Sequence, residues 1–140
     1  MAKKKADPLP VQRLADLNLT FSFEYYDTSE DSLFCLSEWG REDIKYTLSR
    51  LQDICKKTLF EMQQQRKVYH FTPTDWSKSM FPQGFPKPMD ALNNLDPFHF
   101  AILGLNQQKA RIFGAVSGST FYVVWFDYDH DILPYQLKHT

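Results

Sequence analysis

The sequence predicts an α+β domain, one long amphipathic helix packed on an antiparallel sheet in the order ββ-α-loop-βββ. Three observations predict it. An early stretch alternates apolar and polar residues, and a middle stretch repeats apolar residues at helical spacing. The last third is three strand-like runs separated by short polar turns. A helix that is apolar along one stripe must cover something, and the strands on either side of it in sequence supply that surface.

Residues 1–16, with three consecutive lysines and two prolines, read as a flexible basic leader. Residues 17–140 read as a single domain. In "LNLTFSFEYY", Leu19, Phe21, Phe23 and Tyr25 point one way and Thr20, Ser22 and Glu24 the other, the period of a half-buried strand. "DTSEDS" supplies a turn, and "LFCLSEW" a short second strand, the expected hairpin partner of the first. From residue 41 to 65, Ile44, Leu48, Leu51, Cys55, Leu59 and Met62 recur at steps of three and four and predict one helix. Glu42 and Asp43 in the first turn, with Arg66 and Lys67 at the end, suit its dipole.

Residues 68–97 form a loop rich in proline and aromatic residues, with one helical turn expected around Asp90 to Asn94. A loop of that length in a small domain tends to be functional or mobile, and Trp76, Phe81 and Phe85 suggest that it packs back on the body. Then come "FHFAILGL", "ARIFGAV" and "TFYVVWFD". Gly118 suits a positive φ in the second turn. The last strand is apolar on both faces and therefore central and covered on both sides.

A chain of 140 residues is long enough to bury roughly two-thirds of its unfolded surface. With 43% hydrophobic and 16% aromatic residues, global disorder is excluded. A net charge of −1 removes the simplest nucleic-acid argument, a strongly basic domain. Cys35 and Cys55 read as buried free thiols, since two cysteines make no disulfide framework. No apolar run approaches the roughly 20 residues that span a bilayer, and none follows the basic N-terminus as a secretory signal would need. A cytoplasmic protein without a membrane partner is the simplest expectation.

The acids of "DYDHD" (127–131) resemble the opening of a calcium loop. Ile132 and Lys138 stand where that loop needs glycine and glutamate, so a calcium hand is rejected. A transition-metal site of His130, Asp127 and a distant His70 or His99 is sterically possible but is the minor reading, since the four histidines include no pair at helical ligand spacing; no metal or cofactor is expected. The functional reading of the cluster is a catalytic set: His130 flanked by carboxylates, which favour its protonated, proton-donating form, with Asp127 and with Arg111 from the adjacent strand. The competing structural reading is an ion pair from Arg111 to Asp127 or Glu24, with His130 as a plain loop residue. Arg66, Lys67, Lys78 and Lys87, interleaved with Trp76 and other aromatics, make a candidate nucleic-acid-binding segment, whose rings could equally fasten the loop to the core. Tyr25, Tyr26, Trp39 and Trp76, wherever exposed, would form a protein-interaction patch.

The closing pattern Arg-Ile-Phe-Gly, Gly-Ser-Thr-Phe-Tyr-Val-Val-Trp-Phe-Asp and Asp-His (98–134) resembles the ending of a group of small bacterial proteins. More distantly, a helix followed by a three-stranded meander, with an arginine on its middle strand and a late histidine, is similar to the RelE/YoeB toxin superfamily. That resemblance implies an endoribonuclease of a toxin–antitoxin pair, with Arg111 and His130 in the carried-over positions, RNA as substrate and an antitoxin as protein partner. The alternative is a non-enzymatic accessory module that binds a protein through the aromatic loop and a sheet edge.

Overall fold

The computed structural model describes residues 17–134; the basic leader expected at 1–16 lies outside the described residues. Five strands, β1 (Thr20–Ser22), β2 (Thr72–Pro73), β3 (Asp96–Ala101), β4 (Arg111–Ser117) and β5 (Thr120–Asp127), form one sheet in the order β1-β5-β4-β3-β2. The three long strands form the expected meander, and β1 joins β5 in parallel, Thr20 opposite Thr120. The fold is mixed α+β, as the composition of the elements predicts.

The expected N-terminal hairpin does not form. Residues 36–38 are a single 3₁₀ turn, and the chain after β1 runs along the free edge of β5. There Asp27 N donates to Val124 O (3.1 Å) and Phe126 N donates to Phe34 O (2.9 Å). The alternation from Leu19 to Tyr25 correctly reports a half-buried strand, but periodicity says which face is covered and nothing about which strand pairs with it.

The helical segment is also not one rod. It divides into α1 (Arg41–Ile54), α2 (Leu59–Gln64) and α3 (Arg66–Tyr69). The break at 55–58 has a local cause. Lys57 O accepts from Leu19 N (2.8 Å), which pulls this stretch towards β1. Thr58 then opens α2 with a reciprocal cap: its Oγ1 accepts from Glu61 N (3.0 Å), and Glu61 Oε1 accepts from Thr58 N (3.0 Å). The inward residues of α1 are Thr47, Leu51 and Ile54, while Leu48 faces solvent. Cys55 is exposed rather than buried, because the helix ends at it; Cys35 is half-buried. No described helix is long and apolar enough to cross a membrane.

The sheet is covered on both sides. Leu51, Ile54, Met62 and Tyr69 pack with Phe100, Ile112, Phe121 and Phe126 on one face. On the other, Phe34, Phe85, Met89 and Leu92 pack with Phe113, Val124 and Trp125. Consecutive Val124 and Trp125 share that face because a β-bulge interrupts the β4–β5 ladder: Phe113 pairs with Trp125, Gly114 with Val123. Only glycine fits at 114, since a Cβ there would lie 1.9 Å from Tyr122 O.

The proline-rich loop packs on the body, as its aromatics predict. Trp125 is the anchor, with Phe81 stacked on it (centroids 4.4 Å), Phe85 at 5.6 Å and Trp76 at 6.4 Å. Its indole N–H donates to Asp27 Oδ2 (2.8 Å), so one side chain ties the loop, the sheet and the β1–α1 connection together. The helical turn expected near Asp90 is a 3₁₀ turn over Asp90–Asn94. β2 lies inside the loop and pairs with β3, placing Thr72 opposite His99.

Candidate active site

Arg111 opens β4 at the point where the chain leaves a turn in which Asn106, Gln107 and Gln108 all have left-handed backbone. It pairs with Ala101 on β3 and with Asp127 on β5, one place beyond the Phe126 that the turn register alone would set opposite it, because of the bulge at Gly114. Residues 111, 113, 125 and 127 share the loop-side face, and His99, opposite Phe113, joins them. Arg111 is only 4% exposed; its Nη1 donates to Gln108 O and, at 3.2 Å, to Ala110 O. Those carbonyl contacts hold the guanidinium at the end of the sheet.

Asp127 organises the turn that follows. Its Oδ1 accepts from Asp131 N (2.9 Å) and its Oδ2 from Ile132 N (2.7 Å). Asn106 steadies the same turn from outside, donating to Tyr128 O (2.8 Å) and Asp129 Oδ1 (3.0 Å). Wound this way, the chain passes through a left-handed His130 (φ 64°) and brings its imidazole back to the side of the sheet on which Arg111 lies. Burial pushes the Asp127 carboxyl above its ordinary range, and the two N–H donors oppose that.

The cleft so formed has a volume of about 390 Å³. Its floor is His99, Arg111 and His130, all buried. Its rim is His70, Thr72 and Lys78 on one side, with Leu133 and Pro134 on the other side of His130 in sequence. His99 is stacked on Phe113 (4.8 Å between centroids) and its Nδ1 is 2.9 Å from Thr74 Oγ1.

Three imidazoles therefore surround one guanidinium, and the electrostatics follow. Burial, then the Arg111 charge, then His130 and His70 push His99 down to about 3. Burial and then Arg111 lower His130, although Asp131 acts the other way. His70 is lowered by the same two causes in the same order. Flanking acids in the sequence predict a readily protonated His130; desolvation and the guanidinium outweigh them, so the ring is neutral near pH 7. A neutral imidazole beside a cation suits accepting a proton.

The proposed nucleic-acid contacts separate. Lys78 lines the cleft, 4.0 Å from Asp75 across an exposed pair. Arg66 and Lys67 are exposed on α3, which leads directly to His70. Lys87 is exposed beside Pro88, on the rim of a different cleft that includes Tyr25 and Met89. Trp76 spends its ring on Phe85 (4.8 Å) and Trp125 and is part of the core. Tyr25, Tyr26 and Trp39 are half-buried against Tyr122 and Phe126, each keeping part of its ring at the surface.

The sequence weighs His70 and His99 only as distant partners of His130 in a metal site, and brings neither ring to Arg111, where the structure places both. One signal was available: in an alternating β3, His99 shares a face with Ala101, the residue that stands opposite Arg111. His70 carried no such signal, since its place depends on the two-residue strand β2. Among the described residues, no three His, Cys, Asp or Glu side chains are grouped to hold a metal ion. Set against known protein families, curated proteins and solved structures, the chain matches none.

Proposed function

We propose that this chain is an RNA-directed endoribonuclease of the RelE-like toxin kind, working in the cleft around Arg111. The observation that carries the reading is the convergence of Arg111 with His130, His99 and His70 on one solvent-reachable cleft. A phosphodiester needs a fixed positive charge for the oxygens of its pentacoordinate state and a group to move protons. Arg111 supplies the charge and Lys78 the contact to a neighbouring phosphate. His130, neutral, takes the proton from the ribose 2′-hydroxyl as its oxygen attacks phosphorus. Asp127 acts through His130 by holding its turn, which makes it a positioning residue. Arg66 and Lys67 extend the basic rim for the RNA backbone; Lys87 is too differently placed to share it.

The test is incubation of the purified protein with a single-stranded RNA in EDTA, since the reaction uses protein groups only. Fragments ending in 2′,3′-cyclic phosphate are expected, and induced expression is expected to arrest growth. The pH dependence follows from the shifts. Activity needs one imidazole neutral and another protonated, and both candidates are lowered from 6.5, so kcat/KM should peak below about pH 6.5 and fall as the pH rises past it. A maximum above pH 7.5 would exclude histidine pairs in this environment.

A second reading, a module that binds a protein partner without catalysis, is favoured by one observation. Leu33 is 78% exposed and Met80 48% exposed, and they share a cleft with Asp129 and Asp131 on the far side of the 128–132 turn. An inert protein whose partner is released by Leu33→Asp would support that reading over cleavage.

A further inference from the structure

We infer that His70 is the second proton-transfer group of this cleft, standing across Arg111 from His130 and protonating the departing oxygen of the cleaved phosphodiester. This rests on the RNA-cleaving reading above and deepens it. The strand order carries the placement. Reading across the sheet, β5 leads to His130, β4 begins with Arg111, β3 holds His99, and β2 lies outermost with His70 two residues before it. The two rings therefore enter the cleft from opposite flanks of the strand that bears the guanidinium. In-line displacement at phosphorus asks for that disposition, because the attacking oxygen enters on the side opposite to the one from which the other departs.

Local structure fixes His70 where the role needs it. It ends α3 in left-handed conformation (φ 54°), and its carbonyl accepts from Thr72 Oγ1 (3.0 Å), which sets the angle between the helix and β2. Its side chain lies on the exposed rim, in reach of solvent protons, whereas His99 is 5% exposed and held at its Nδ1 by Thr74. His99 is therefore a fixed polar wall between the two working rings. The charged groups facing His70 are Arg111 from β4 and Asp75 and Lys78 from the loop, with neutral His99 from β3. Burial and then the Arg111 charge loosen the proton that His70 carries, which favours its donation.

The step balances without a further reactant. The 2′-oxygen–phosphorus bond forms as the 2′ proton passes to His130. The bond from phosphorus to the 5′-oxygen breaks as His70 gives that oxygen a proton. A 2′,3′-cyclic phosphate and a free 5′-hydroxyl result, and proton exchange with water restores both rings.

The experiment compares a dinucleoside monophosphate with uridine 3′-(4-nitrophenyl phosphate), whose leaving group needs no proton. His70→Ala is expected to lose about a hundredfold or more on the dinucleotide, to lose less than about fivefold on the nitrophenyl ester, and to lose the alkaline limb of its pH profile. His70→Asn, which accepts the left-handed backbone without strain, should behave alike and excludes a folding effect. His130→Ala should stay impaired on both substrates, since the base is still needed. Equal losses on both substrates in the His70 variants, or none on either, would overturn the acid role while leaving the cleavage reading intact. A wild-type protein that cleaves neither substrate would overturn both.

Discussion

Replacing Trp125 with alanine is expected to cost about 3–5 kcal/mol of stability, the range for deleting a large buried aromatic side chain. The indole is 1% exposed and has Phe81, Phe85, Phe34 and Trp76 around it. The lost contacts come from two chain segments that meet on this ring, the loop (Trp76, Phe81, Phe85) and the β1–α1 connection (Phe34). Asp27 loses the donor on Oδ2 and keeps Ser29 N and Oγ on Oδ1, which limits the polar part of the penalty. Urea unfolding measures the loss. Hydrogen exchange should accelerate most in the loop at 76–95, because its rings are fastened to the sheet chiefly through Trp125. A change below about 1 kcal/mol would mean that the loop is held by something else.

Arg111→Ala is expected to reduce RNA cleavage by about a hundred- to a thousandfold, the usual loss when one preorganised charge-stabilising group is removed. A second readout separates this from general damage. The Arg111 charge helps to lower His70, His99 and His130, so the ring pKa of all three should rise in the variant. For His70 and His130 that means more protonated ring at pH 6 and a rate profile moved to higher pH. Titration followed by NMR on the ring protons would check the direction. Activity retained within about threefold would remove Arg111 from the chemistry.

How far these elements could be read in advance depended on the range of the interaction that decides each one. The pairing of β4 with β5 was legible, because the short Ser117–Gly118–Ser119 turn sets Ser117 opposite Thr120; that register alone carries Arg111 to Phe126, and the bulge moves it on to Asp127. Burial of both faces of β5 was legible for a related reason: an unbroken apolar run from Phe121 to Phe126 needs two covers. The bulge at Gly114 was not, since the Tyr122 carbonyl and the Phe121 ring that exclude a side chain there both come from the opposite strand.

The helix break shows a signal that was present and outweighed. Thr58 and Glu61 spell a capping box inside the predicted helix, but the apolar steps through Cys55 and Leu59 keep their period across it. The pull of Leu19 on Lys57 O, a contact between residues 38 apart in number, decided the matter. At the site, Arg111 and His130 could be paired from the hairpin alone. His70 could not, because its arrival depends on Thr72 pairing with His99, and a two-residue edge strand leaves no pattern in sequence. The protonation of His130 was misjudged for a physical reason: neighbours in sequence suggested acids, whereas burial and a cross-strand guanidinium govern the ring.

That one cleft brings the guanidinium and its two titrating imidazoles to a common ligand is tested most directly by NMR of the histidine ring protons during titration with a ribonucleoside 3′-monophosphate. The account predicts that the His70 and His130 signals move together along one saturating curve, and that Arg111→Ala abolishes both movements. Movement confined to residues around Leu33 and Met80, or separate curves for the two histidines, would contradict it.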